Sequence, residues 1–271
     1  MLQDFNKNGF CVIPNVYDVE NQIDPILKDI QRIIQIVAEE HDVDAPCETP
    51  DEAMTKGIMA IAEANRSFAA EIYDAVKQIP SFMQLMCHAT NSEIFEKIRT
   101  NSTPGLGEGG YGIRIDVPSD RKFRTFWHQD FPAQLRSLDG LGFWSPLLTV
   151  NTEMGPVEIC VESHIDGYVP VIEDDGGAGK SGAYALRFHD EKSRVLNYNQ
   201  VAPLTKPGDL LVMDYLTLHQ SGINLSNHPR WSMQSRWFNY EDPTGRKIAW
   251  KGSFAAGVNF TEVLKELVDE S

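Results

Sequence analysis

Three residues could together hold a redox metal: His128 and Asp130, in the segment FWHQDF, and His219, in LHQSG. Fe(II) that activates oxygen is commonly held by two histidines and one carboxylate on a single face, which leaves positions open for reactants. In a strand, residues i and i+2 point to the same side, so His-x-Asp would present two ligands together. A second pair, His164 and Asp166 in ESHIDG, has the same letters, so the short motif alone is weak. The surroundings favour the first pair. Phe126, His128 and Asp130 alternate along a β-type run, and His219 follows the apolar run DLLVMDY. Strand-like runs at 141–150, 157–163, 183–188 and 209–214, with a weaker one near 195–203, give the chain enough turns to bring His219 back beside the pair. Starting from Asp166 leaves too few strands. His164 also follows VEICVES into a turn, where a histidine caps or hydrogen-bonds backbone.

A cation is the next requirement if the metal works with 2-oxoglutarate, whose far carboxylate needs a partner. Arginine suits it, because its planar fork donates two parallel hydrogen bonds to a carboxylate. Arg230 opens the run RWSMQSRWF eleven residues after His219, and Ser232, on the same strand face, could add a hydroxyl contact. Taken singly, Arg230 reads better as a surface residue after Pro229. Taken with the two histidines and the aspartate, it does not.

The elements that must position these residues fall into two parts. Up to about residue 100 the apolar spacing is helical. Ile23, Ile26, Leu27, Ile30, Ile33, Ile34 and Val37 recur at steps of three and four. A second helical stretch runs from Asp51 to His88 with a break near Pro80, and a third, SEIFEKIRT, follows Asn91 or Ser92 as cap. GFCVIP, at 9–14, reads as a short strand. After STPGLGEGG the period becomes two, and short β-type runs alternate with turn residues. Gly105, Gly107 and Gly110 spell a dinucleotide fingerprint, but a helix precedes them and a strand follows, so they read as a turn. The expectation is a single domain over 1–271, mainly β with flanking helices. Its core is a double-stranded β-helix (jelly-roll, cupin-like) over about 105–251, with helices from about 15–100 packed on it.

Composition narrows the partners. The 271 residues carry 24 basic against 39 acidic side chains, a formal charge of −15. Such a surface repels phosphate backbones and anionic lipid, which argues against nucleic acid and membranes as partners. No apolar run approaches membrane-spanning length, and MLQDFNKNGF has no basic start followed by an apolar stretch. The four cysteines show no CxxC spacing and read as buried free thiols in a reducing, cytoplasmic setting.

WHQDF, the segment HQSGIN around His219 and Arg230 eleven residues on resemble the motifs of the phytanoyl-CoA dioxygenase family of Fe(II)/2-oxoglutarate oxygenases. DFNKNGFCVIPNV resembles that family's N-terminal stretch and MGPVEICVESH its central strand, so the likeness runs from about residue 5 to 240, with nothing specific over 40–100. The resemblance implies that His128, Asp130 and His219 bind iron, and that Arg230 anchors 2-oxoglutarate. It implies that O2 is the oxidant and that a C–H bond of a small molecule is hydroxylated with release of succinate and CO2. By the same likeness, Ser221 and Trp144 line the co-substrate pocket and the loop at 174–182 is a lid. Related halogenases replace the carboxylate ligand with a small residue, so Asp130 favours hydroxylation. Arg114, Arg121, Lys122 and Arg124 could attract an anionic substrate, or could simply be a solvated strand edge. The alternative function is a cupin-like protein that binds metal or ligand without this catalysis. Oligomeric state is not legible in the residues.

Overall fold

The computed structural model describes residues 2–119, 124–173 and 186–252. Its strands are β1 (Phe10–Ile13), β2 (Pro104–Asp116), β3 (Leu141–Pro146), β4 (Val157–Cys160), β5 (Ile172–Glu173), β6 (Leu186–Arg187), β7 (Gln200–Val201), β8 (Leu210–Asp214), β9 (His219–Ser221) and β10 (Arg230–Asn239). They form a five-stranded sheet, β1-β8-β3-β10-β2, a three-stranded sheet, β7-β4-β9, and the β5–β6 pair. Every pairing is antiparallel.

The two larger sheets share an apolar layer. Trp144, Leu211 and Met213 of the five-stranded sheet meet Val157 and Ile159 of the three-stranded one. On its other face the large sheet carries the N-terminal helices. Ile26, Ile30 and Ile34 of the helix Asp24–Glu40 are fully buried in one cluster with Phe143, Val212, Trp231 and Met233. Alternation on β10 separates the two sides. Trp231, Met233 and Trp237 join the helix layer, while Gln234 and Arg236 line a cavity on the opposite face. Trp231 also donates Nε1–H to the Met54 carbonyl at 2.7 Å, so even its one polar atom is satisfied among the helices.

This is the mainly antiparallel jelly-roll arrangement with flanking helices that the sequence leads one to expect, with local differences. The third long helix starts at Ala89, not after Asn91, and His88 caps it by accepting from the Thr90 amide. Asn91 is fully buried, receiving the Tyr17 hydroxyl at 2.7 Å and donating to the Leu85 carbonyl at 2.8 Å. Its amide is needed inside, where it offers both a donor and an acceptor. The stretch after Asp51 is broken at Asn65, which caps the next helix, as well as at Pro80. The glycine run expected to be a turn lies within the long strand β2, as an irregularity described below. Cys11 and Cys160 are buried free thiols as expected, but Cys47 is half-buried and Cys87 exposed. Among the described residues, no helix is long and apolar enough to cross a membrane. Arg121, Lys122 and the loop 174–182 lie outside the described residues.

Candidate active site

Backbone pairing brings the two histidines together. His128 and His219 form an antiparallel bridge. The His128 amide donates to the His219 carbonyl at 2.9 Å, and the His219 amide returns the bond at 3.0 Å. The rings lie 4.2 Å apart between centroids. His219 begins β9, which pairs with β4, so the ligand pair extends the three-stranded sheet. Asp130 arrives differently from the strand alternation expected of FWHQDF. Its backbone is helical (φ −71°, ψ −26°), and it precedes the short helix Phe131–Gln134 without a side-chain capping bond. The chain bends between His128 and Asp130, and the carboxylate still meets the rings. Among the described residues, His128, Asp130 and His219 are the group whose ligand atoms all lie within 4.8 Å of one another.

The histidines are held in one tautomer. His128 Nδ1 lies 2.7 Å from the Phe126 carbonyl, and His219 Nδ1 lies 2.9 Å from the Thr217 carbonyl. A carbonyl only accepts, so each Nδ1 carries the proton and each Nε2 keeps its lone pair. Burial, reinforced by the neighbouring His219, holds His128 down to about 3. Burial likewise lowers His219, outweighing the pull of Asp130. Both rings are therefore neutral at physiological pH, the form that binds metals. Burial alone would push Asp130 up, but Arg236, His219 and His128 hold it at about 2, so it is ionised. Two neutral imidazole nitrogens and one carboxylate form a donor set that fits a ferrous ion.

Two groups at this centre give little sign in the sequence. Arg236, on β10, reaches both Asp130 oxygens with Nε at 3.2 Å and Oδ1 with Nη2 at 3.1 Å. Gly142, on β3, faces the carboxylate, and a Cβ there would stand 2.6 Å from Asp130 Oδ2. The available signals were parity, since Arg236 lies an even number of residues after Arg230, and the place of Gly142 two residues before Trp144. The cavity beside the ligands is lined in part by Trp144, Val157, His219, Ser221, Gln234 and Arg236. Ser221 Oγ accepts from the Thr125 hydroxyl at 2.9 Å.

Arg230 opens β10, as expected, on the same side as Gln234 and Arg236. It is 1% exposed, and its Nη2 donates to Asp116 Oδ2 at 2.8 Å. Its Nε and Nη1 are buried with no hydrogen-bond partner, and so is the Ser232 hydroxyl two residues on. Unpaired buried donors of this kind are costly, and here they fit a missing oxyanion. Asp116 also accepts from Arg114 Nε at 2.8 and 3.0 Å, and these two arginines keep it ionised despite burial. Arg114 and Arg124 are thus not a solvated edge. Arg124 donates to the Ser221 carbonyl at 2.6 Å and pairs with Glu158 at 3.9 Å. The rival pair is not a ligand site. His164 Nε2 meets the Asn6 carbonyl at 3.2 Å, and Asp166 accepts from the Tyr198 hydroxyl at 2.5 Å.

The family model for phytanoyl-CoA dioxygenase matches residues 5–232. No curated protein matches the chain. Among solved structures, the epimerase SnoN in complex with Fe3+, alpha ketoglutarate and nogalamycin RO is 16% identical, with 90% of this chain and 85% of SnoN covered and a TM-score of 0.59. EctD from S. alaskensis with bound Fe is 17% identical, with 99% and 85% covered and a TM-score of 0.57. AviO1 from Streptomyces viridochromogenes Tue57 is 15% identical, with 89% and 95% covered and a TM-score of 0.54. At such identities the likeness speaks to the fold alone.

Proposed function

The chain belongs to the phytanoyl-CoA dioxygenase family, and from that premise we propose that it is an Fe(II)- and 2-oxoglutarate-dependent oxygenase that hydroxylates a C–H bond of a small molecule. His128, Asp130 and His219 would hold the iron. The observation that carries this reading is their convergence within 4.8 Å, with both Nδ1 protons committed to backbone carbonyls. When bound, iron and 2-oxoglutarate supply the oxidising power, with O2 as oxidant and succinate and CO2 as by-products.

The chain's own residues do the positioning. Arg230 would hold the far carboxylate of 2-oxoglutarate through its unpaired Nε and Nη1, and Ser232 would add its hydroxyl. Asp116 keeps the Arg230 guanidinium in place from its other side. Ser221 and Trp144 would bound the co-substrate space, since both line the cavity beside the ligands. The carbonyls of Phe126 and Thr217 fix the imidazole rings, so little reorganisation is needed when metal arrives.

The test is succinate release with added Fe(II), ascorbate and 2-oxoglutarate, run beside Asp130→Ala. The wild type is expected to release succinate slowly even without prime substrate, and the variant to release none. Full activity in Asp130→Ala would reject the ligand assignment. Absence of 2-oxoglutarate binding in the wild type would instead favour a cupin-like binding protein. SnoN is named an epimerase, so the products formed with a converted substrate are to be identified by mass as well as counted.

A further inference from the structure

The reading above gives Asp130 a task but none to its partner, Arg236. That arginine stands opposite an irregularity in β2. Tyr111 pairs with Ser235 and Leu106 with Trp237, so residues 107–110 lie against Arg236 alone. Three of those four residues are glycines. Gly109 takes φ +67° with open space around the missing side chain, and a Cβ on Gly110 would come 3.1 Å from Arg236 Cβ. Bulges of this kind bend a strand and re-aim side chains beside sites. Here the bulge borders a cavity of about 210 Å3 that reaches His128 and Asp130 and is lined by Gly109, Gly110, Arg114, Gln134, Gln234 and Arg236 among others.

The guanidinium of Arg236 forms part of this cavity's wall and turns Nε and Nη2 to Asp130. A metal would also commit one Asp130 oxygen, and a guanidinium has five N–H donors, most of them then available for an incoming oxyanion.

We propose that Arg236, beneath the glycine bulge of β2, anchors a carboxylate of the substrate, so that the enzyme takes a small carboxylate-bearing molecule. This rests on the reading of the site as an iron and 2-oxoglutarate centre. The test uses protein loaded with Mn(II) and saturating 2-oxoglutarate, whose binding is measured first. Propionate, its neutral counterpart propionamide, and inorganic phosphate are then titrated as probes, and their nuclear relaxation by Mn(II) is read. The expected result is saturable enhancement for propionate and none for propionamide. Arg236→Gln should weaken propionate about tenfold or more, as the loss of a charge-assisted contact requires, with 2-oxoglutarate still bound. Arg236→Lys, which keeps the charge, should fall between the two and guards against a folding defect. Equal response to propionate and propionamide, an unchanged response in Arg236→Gln, or a preference for phosphate would overturn the proposal. Failure of the underlying reading would show separately, as a wild type that does not hold 2-oxoglutarate before any probe is added.

Discussion

Replacing Gly142 by alanine tests whether the carboxylate ligand is set by the strand behind it. The new Cβ would lie 2.6 Å from Asp130 Oδ2, whereas ordinary contact begins at 3.4 Å, so the carboxylate must retreat by about 0.8 Å. In the metal-free protein this is cheap, because the clashing atom ends a side chain and Arg236 can follow it. In the metal-bound protein it is not, because a ligand displaced by more than about 0.5 Å leaves its productive position. The expected cost is about tenfold to a hundredfold in metal affinity, the range seen when groups supporting a ligand are altered. Mn(II) titration followed by electron paramagnetic resonance measures it, with urea unfolding of the metal-free variant alongside. Gly112→Ala is the control, since a Cβ there meets only Lys77 Cγ at 3.9 Å. Unchanged metal affinity in Gly142→Ala, in a folded protein, would refute the claim that β3 sets the position of Asp130.

Arg230→Gln should raise the 2-oxoglutarate Kd about tenfold to a hundredfold while sparing Mn(II) binding, as calorimetry would show. Ile30→Ala, at a fully buried position between helix and sheet, should cost about 2–5 kcal/mol of stability in urea unfolding and leave Mn(II) affinity alone. The metal-free protein should weaken in mild acid. Both ligand histidines titrate lower when folded than the ordinary 6.5, so the unfolded chain takes up protons first as pH falls. The contribution of His128 is whole above about pH 6.5 and declines toward pH 3, by at most about 1.4 kcal/mol per unit, and His219 adds to the loss in the same direction. Urea midpoints of chelator-treated protein that stay level from neutrality to about pH 5 would contradict this.

The candidate trio was legible because metal chemistry uses few residue types, and because His219 follows an apolar run that reads as a strand. The local reason was only half right. Alternation places neither ligand of the pair, since His128 is fixed by its bridge to His219 and Asp130 by a helical bend. The three side chains named from the sequence do converge, although the backbone differs from the expected strand, because a short His-x-Asp segment can bring its side chains together in either conformation. Arg230 was legible by its distance from His219, and its burial with unpaired donors adds an independent reason. Arg236 and Gly142 were hidden. An arginine on a strand and a glycine after a turn have many uses, and only the register of β10 against β2 and β3 gives these two a purpose. The glycine run was misread for the same cause, since a bulge is a relation between two strands and leaves no mark on either alone. Helices were legible as a layer but not at their ends, where Asn91 went inward to serve Tyr17 instead of capping.

The bridge between His128 and His219 has a bearing on how the protein is made. Its two backbone hydrogen bonds join residues separated by most of the β-rich half of the molecule. During synthesis, a nascent polypeptide that has not yet passed Leu218 owns one imidazole and one carboxylate of the trio and lacks the other imidazole. Such a fragment lacks one of the three donors, so a ferrous ion would be held firmly only after the chain has returned to pair His219 with His128.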